Sequence, residues 1–344
     1  MLAVLCRKLG SLEDLEVADV APPTAADGEV VVDILACGLN FPDVLVVQGK
    51  YQNRPELPFT PGSEFSGVVA DVGPAVTGFA RGDLVCGNVS LGALQEKLAV
   101  RASELVKIPA GVDTNAAAGL LVTYCTSLYA LRDRGGLRSG ESLLVLGAGG
   151  GVGLAAVEIG VALGARVVAA ASSDEKLDAA RMAGAHEVLR YSADLRDSNL
   201  QKELGARLKA SAGTRGFDVI YDPVGGDYTE PALRSIAWQG RYLVVGFAAG
   251  RIPSIPLNLP LLKGCQIVGV IWGGAWNHDP TIKQRVSSEL LGMLAAGQLR
   301  PRIGTVLPLE RAVEALKLLA QRRAVGKVIV AIGQLRPCTA PTPE

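Results

Sequence analysis

The chain has no charge of either sign to spare. Its 34 Lys and Arg residues are matched by 34 Asp and Glu. Without a basic excess there is no electrostatic footprint for nucleic acid or for an anionic membrane surface. A long unbroken apolar run is also missing: the most apolar region, 143–171, is interrupted by Glu158 and Arg166 and contains a glycine-rich turn, which argues against a bilayer span. Behind the apolar residues 1–5 come Arg7, Lys8, Glu13 and Asp14, so no secretory leader is expected and a cytoplasmic location follows. Cysteine is sparse and scattered. Cys6, Cys37, Cys86, Cys125, Cys265 and Cys338 form no Cys-x-x-Cys pair and no regular spacing, which argues against a disulfide framework and a thiolate zinc knuckle. Burial as free thiols is the expectation for most of them.

What is present is length and pattern. At 344 residues the chain exceeds what one hydrophobic core organises, so two domains are expected, one of them discontinuous. From residue 142 short apolar runs alternate with amphipathic stretches. The runs 142–146, 166–170, 187–191, 217–221, 241–246 and 266–271 predict a doubly wound parallel sheet of α/β class. The first 119 residues instead alternate short strands with Gly and Pro and suit a β-rich domain of hairpins and a small barrel. After residue 275 the pattern predicts helices over 286–296, stopped by Gly297, and over 309–323. A strand over 327–332 then returns to the β-rich domain, followed by a frayed Pro-rich tail. The division expected is therefore 1–119 with 276–344 for the β-rich domain, and 120–275 for the dinucleotide-binding domain.

The most informative stretch is Leu143-Leu-Val-Leu-Gly-Ala-Gly-Gly-Gly-Val-Gly153, a strand running into a glycine cluster that opens a helix. Ala148, Gly150 and Gly153 meet the G-x-G-x-x-G spacing with one departure, and Gly151 and Val152 lie between. Such a turn lets the backbone approach a pyrophosphate, while the helix start offers N–H donors and a positive dipole end. Sites that bind NAD place an acid on the ribose 2′-OH at the end of the next strand. Here that position is Ala171, followed by Ser172, Ser173 and Lys176, which suit a phosphate. The same residues also read as an ordinary helix opening with Ser173 as N-cap.

With Asn40-Phe-Pro-Asp43, Gly62-Ser-Glu64 and Tyr221-Asp-Pro-Val-Gly-Gly226 added, residues 1–332 resemble the zinc-less NADPH:quinone oxidoreductase branch of the medium-chain dehydrogenase/reductase superfamily. The resemblance implies a Rossmann domain beside a GroES-like catalytic domain, an active site between them, and a two-fold dimer. The apolar run 266–271, at an expected sheet edge, points to the same homodimer. Zinc members carry Cys where this chain has Asn40 and His where it has Ser63. Cys37 lies outside the ligand column, and His186 and His278 are the only histidines, so no metal is expected.

By resemblance, Asn40 and Thr126 line the nicotinamide, Lys176 and Tyr191 bracket the 2′-phosphate, and Tyr51 faces the substrate. Phe247 completes the expected cofactor set. Asn40 and Tyr51 are the catalytic candidates, Tyr51 as a protonated phenol able to donate to a carbonyl oxygen. Each has a plainer reading as well: Asn40 holding the loop before Pro42, Tyr51 packing its ring, Asp43 and Glu64 bracing loops, and Lys327 simply solvated. The function expected is NADPH-dependent hydride transfer to a small-molecule quinone or α,β-unsaturated carbonyl. Its rivals are a 2-enoyl-thioester reductase and a non-catalytic NADPH-binding protein.

Overall fold

The computed structural model describes residues 1–52 and 54–333. The expected frayed tail beyond Gly333, with Cys338, lies outside the described residues. Six strands form one wholly parallel sheet in the order Glu187–Arg190, Arg166–Ala171, Ser142–Leu146, Phe217–Asp222, Ile236–Val244 and Gln266–Gly269. The runs in its centre are apolar without alternation because both faces are covered. Leu143, Val145, Val167 and Ala169 enter one core with helix Gly151–Ala162, while Leu144, Leu146, Val168 and Ala170 enter another with Leu204 and Leu208 of helix Ser198–Ala212. The two-residue period of a strand thus splits each run between two helical layers.

The second sheet has seven strands. Its spine is Glu29–Leu39, which pairs antiparallel with Glu64–Val72, Lys97–Arg101 and Lys327–Ala331. The last of these is the expected returning strand. Beside it runs Ile303–Pro308, which the sequence pattern did not suggest: Ile303, Thr305 and Leu307 alternate inward, but the outward positions are Gly304, Val306 and Pro308, so the residue types show no apolar–polar period.

Several boundaries differ from expectation. The strand expected over 241–246 begins at Ile236 and passes an irregular step at Gln239, whose φ is 59°. The strand expected over 266–271 stops at Gly269, and Ile271 instead precedes an unanticipated helix, Trp272–His278. The helix expected from 286 starts at Pro280, with the Asp279 carboxylate accepting from Thr281 N (3.0 Å), and its Ile282, Val286 and Leu290 pack into the core that carries the parallel sheet. The helix expected over 309–323 is a 3₁₀ turn, Leu309–Arg311, followed by Ala312–Ala320.

The two sheets meet at the glycine-rich turn. Gly326 N donates to Gly149 O (3.0 Å), forming a parallel bridge between Gly150 and Gly326 immediately before strand Lys327–Ala331.

Candidate active site at the junction of the two sheets

Strand Glu29–Leu39 delivers Asn40 to this junction as the N-cap of helix Phe41–Val47. Asn40 N donates to Asp43 Oδ2 (2.7 Å), and Asp43 N donates to the main-chain oxygen of Asn40 (3.1 Å), which closes the helix start. The Asn40 side chain turns inward: Nδ2 donates to Glu64 Oε1 (2.9 Å) and to Gly38 O (3.3 Å), while Oδ1 accepts from Lys327 Nζ (2.8 Å). Lys327 Nζ also donates to Leu39 O (3.1 Å) and forms a buried ion pair with Glu64 Oε1. The second carboxylate oxygen of Glu64 accepts from Val122 N (2.8 Å). Lys327 is only 3 % exposed and Glu64 0 %, so the expectation of a solvated lysine is corrected. A glycine precedes Lys327 and an alternating apolar strand follows it; the sequence held no sign that its partner lay in Gly62-Ser-Glu64.

Asp43 is buried beside this pair. Burial pushes its carboxyl up to about 6, against the pull of Asn40 N–H, Ser63 and Lys327, and Glu64 pushes the same way as burial. Tyr51 sits half-buried on the core of the β-rich sheet, and burial together with the Asp43 charge raises its phenol further above neutrality. Thr126, half-buried on helix Thr123–Leu128, makes no side-chain hydrogen bond among the described residues.

The glycine-rich turn has the geometry that its spacing implies. A Cβ at Gly153 would lie 2.2 Å from Gly147 O, so only glycine lets helix Gly151–Ala162 start this close to the strand end. Ala148 is buried, and Gly150, Gly151 and Val152 are half-buried at the helix start. Ser172 and Ser173 are half-buried beyond the next strand. Ser173 is the N-cap of helix Asp174–Met182 by position, yet its hydroxyl makes no capping bond. Asp174 turns away to pair with Arg190 (2.8 Å) and Glu175 is exposed. Lys176 packs its stem on Gly149 and donates from Nζ to Arg322 O (2.7 Å). Tyr191 is buried, its hydroxyl accepting from Gly147 N (3.2 Å) and its ring centroid 4.8 Å from that of Tyr228. Phe247, 38 % exposed, crowds Gly225 in the loop after Asp222.

One charged residue was missed: Arg322, at φ 56°. Burial lowers the pKa of Lys176, Glu175 opposes it, and the charge of Arg322 adds to the lowering; burial raises the phenols of Tyr191 and Tyr228, against which Arg322 pulls. It comes from the β-rich side of the chain, 146 residues beyond Lys176, and no local motif marks it.

Among the described residues no three His, Cys, Asp or Glu side chains gather as metal ligands. Asn40, Ser63 and Glu64, the positions at which the resemblance implies zinc ligands, offer an amide, a hydroxyl and a carboxylate already paired with the Lys327 ammonium, a donor set that does not fit zinc.

Comparison with known proteins agrees with this geometry. Residues 26–110 match the alcohol dehydrogenase GroES-like domain, and residues 151–288 match the zinc-binding dehydrogenase family. The chain is 38 % identical over 331 residues to quinone oxidoreductase-like protein 2 of Rattus norvegicus, covering 96 % of this chain and 92 % of that one. Crystal structures of quinone oxidoreductases with NADPH are similar throughout. That from Thermus thermophilus has a TM-score of 0.81 at 33 % identity and covers 96 % of this chain and 100 % of its own. That from Escherichia coli has a TM-score of 0.86 at 27 % identity with the same coverage. A glycine-rich turn on a parallel sheet, pressed against a GroES-like unit along the whole chain, thus has its counterpart in these enzymes: the chain is an oxidoreductase of the quinone oxidoreductase branch of the medium-chain dehydrogenase/reductase superfamily.

Proposed function

We propose that the protein transfers a hydride from NADPH to a quinone or another α,β-unsaturated carbonyl, without zinc. The observation that carries the cofactor choice is the end of strand Arg166–Ala171, where Ala171 stands in place of an acid and, among the described residues, the hydroxyls of Ser172 and Ser173 make no hydrogen bond near Lys176, whose Nζ bonds Arg322 O. Two hydroxyls and two cations suit a 2′-phosphate. Tyr191 keeps one hydroxyl proton to give, since its bond with Gly147 uses it as acceptor. The glycine-rich turn takes the pyrophosphate at the start of helix Gly151–Ala162, with Ala148, Gly150, Gly151, Val152 and Gly153 shaping it, and Phe247, packed on Gly225, completes the cofactor set.

A bound reduced nicotinamide supplies the hydride. The chain supplies position and polarity: on this reading Asn40 and Thr126 line the nicotinamide, and Tyr51, whose phenol is raised by burial, stays protonated through the neutral range to donate to the acceptor oxygen. The Lys327 ammonium, held among Asn40, Leu39 and Glu64, occupies the donors that a metal would need and repels a second cation. On the same reading the enzyme works in the cytoplasm as a homodimer.

The test is NADPH oxidation followed at 340 nm with a 1,4-quinone, an enone and an enoyl thioester, with and without EDTA. Turnover with the first two that survives chelation is expected. Tyr51→Phe should lower it by roughly ten- to a hundredfold, the value of one hydrogen bond made in the transition state. Turnover only with the thioester, or loss of activity in EDTA, would overturn this reading.

A further inference from the structure

Glu64 and Lys327 touch three parts of the chain that lie far apart in sequence. Glu64 opens strand Glu64–Val72, and its Oε2 accepts from Val122 N (2.8 Å), the N-cap of helix Thr123–Leu128, where the chain crosses from the β-rich sheet towards the parallel one. Its Oε1 pairs with Lys327. The Lys327 stem is threaded between that crossing and the glycine-rich turn. A Cβ at Gly119 would lie 3.1 Å from its Cγ, and a Cβ at Gly151 would lie 3.1 Å from its Cδ and 3.3 Å from Thr123 Cγ2. Main-chain bonds anchor the lysine on both sides: Lys327 N donates to Arg302 O (2.9 Å), and Gly326 N donates to Gly149 O (3.0 Å). Further along the helix, Ser127 Oγ lies 3.1 Å from Val152 O, just inside the helix that follows the turn.

A buried ion pair supplies little net stability, because desolvation offsets the attraction. What this one supplies is direction. One carboxylate oxygen holds the crossing through a charge-assisted bond, and the other holds a lysine whose stem lies against Gly151.

We propose that Glu64 and Lys327 are positioning residues, forming a joint that aligns helix Thr123–Leu128 and the glycine-rich turn with the β-rich sheet. On the dinucleotide reading above, on which this rests, the turn and Thr126 serve opposite ends of the cofactor. The joint then sets where the hydride donor stands relative to the acceptor, and it does so by the length of its side chains.

The experiment separates length from charge. Glu64→Asp keeps the charge but is one methylene shorter, so it cannot reach Val122 N and Lys327 together. Amide hydrogen exchange of segment 119–128, followed by mass spectrometry on the cofactor-free protein, should quicken about tenfold, the worth of one hydrogen bond. With a 1,4-quinone, kcat for NADPH oxidation should fall by about a hundredfold, the cost of a misplacement near 1 Å. The NADPH dissociation constant from fluorescence titration should stay within about threefold, because the phosphate-binding residues are untouched. The double variant Lys327→Met/Glu64→Gln keeps both lengths and an acceptor for Val122 N, and should regain most of the turnover lost in Glu64→Asp.

Unchanged exchange in Glu64→Asp overturns the joint, and unchanged kcat overturns its positioning role. A loss of NADPH affinity as large as the loss of kcat overturns it too, since that marks general damage. Where Glu64→Asp fails to fold, the double variant decides: a folded double variant with kcat a hundredfold down overturns the inference. A wild type that binds no NADPH overturns the dinucleotide reading instead, and exchange without cofactor still tests the joint by itself.

Discussion

Lys327 Nζ meets Glu64 Oε1 across 263 residues of sequence, in a site where the two side chains are 3 % and 1 % exposed. A buried pair adds little to stability as a pair, because desolvation offsets the attraction, but removal of one partner strands a charge. Lys327→Met should therefore cost about 3 to 5 kcal/mol in urea unfolding, while Lys327→Met/Glu64→Gln should recover at least half of that loss. A single variant as stable as the wild type would show that the charges are not both buried in solution.

Asp43 gives the molecule a pH dependence of opposite sign to that of a salt-bridged carboxylate. Its carboxyl sits at about 6 in the fold, above the ordinary value near 4 that it regains on unfolding. Between these values the folded chain holds a proton that the unfolded chain lacks. The stability due to this group therefore rises as pH falls through 6 and is lost above it, by on the order of 3 kcal/mol. Asp43→Asn keeps an acceptor for Asn40 N–H and should flatten the slope of stability between pH 4.5 and 6.5. An unchanged slope in thermal melts of the variant would assign it to another group.

Cofactor choice is tested at Lys176. NADPH should exceed NADH in kcat/KM by roughly a hundredfold, near 3 kcal/mol for a charge-assisted set of contacts. Lys176→Ala should erase most of that preference and leave the NADH kinetics nearly untouched. Equal loss with both cofactors would instead implicate the bond from Lys176 Nζ to Arg322 O, which ties the turn to the β-rich sheet.

How much of this was legible depended on whether the signal was local. The six parallel strands stood out because burial on both faces makes each an unbroken apolar run, and the glycine-rich turn because close backbone approach needs glycine at fixed spacing. Strand Ile303–Pro308 carries no apolar period, and helix Trp272–His278 contains two glycines that read as loop. In the site, residue types were legible and partnerships were not. Asn40, Glu64 and Lys327 each had a plain local reading; the antiparallel pairing of Glu29–Leu39 with Glu64–Val72 on one side and Lys327–Ala331 on the other brings them together. Arg322 reaches Lys176 the same way, through sheet topology.

Topology also exposes one edge. Strand Gln266–Gly269 pairs on one side with Ile236–Val244, and no strand covers its other side among the described residues. Around it stand Leu261, Leu262, Trp238 and Ile271, between 58 % and 78 % exposed, with Ile267 at 40 % on the strand itself. Open N–H and C=O groups next to exposed apolar side chains are what a two-fold partner covers, since a two-fold axis sets a strand antiparallel to its own copy. Light scattering at micromolar concentration should give a dimer mass. Burial of each leucine is worth about 1.5 to 3 kcal/mol, so Leu261→Asp/Leu262→Asp should shift the mass to a monomer while far-UV circular dichroism stays unchanged. A monomeric wild type, or a double variant that remains dimeric, would place the contact elsewhere.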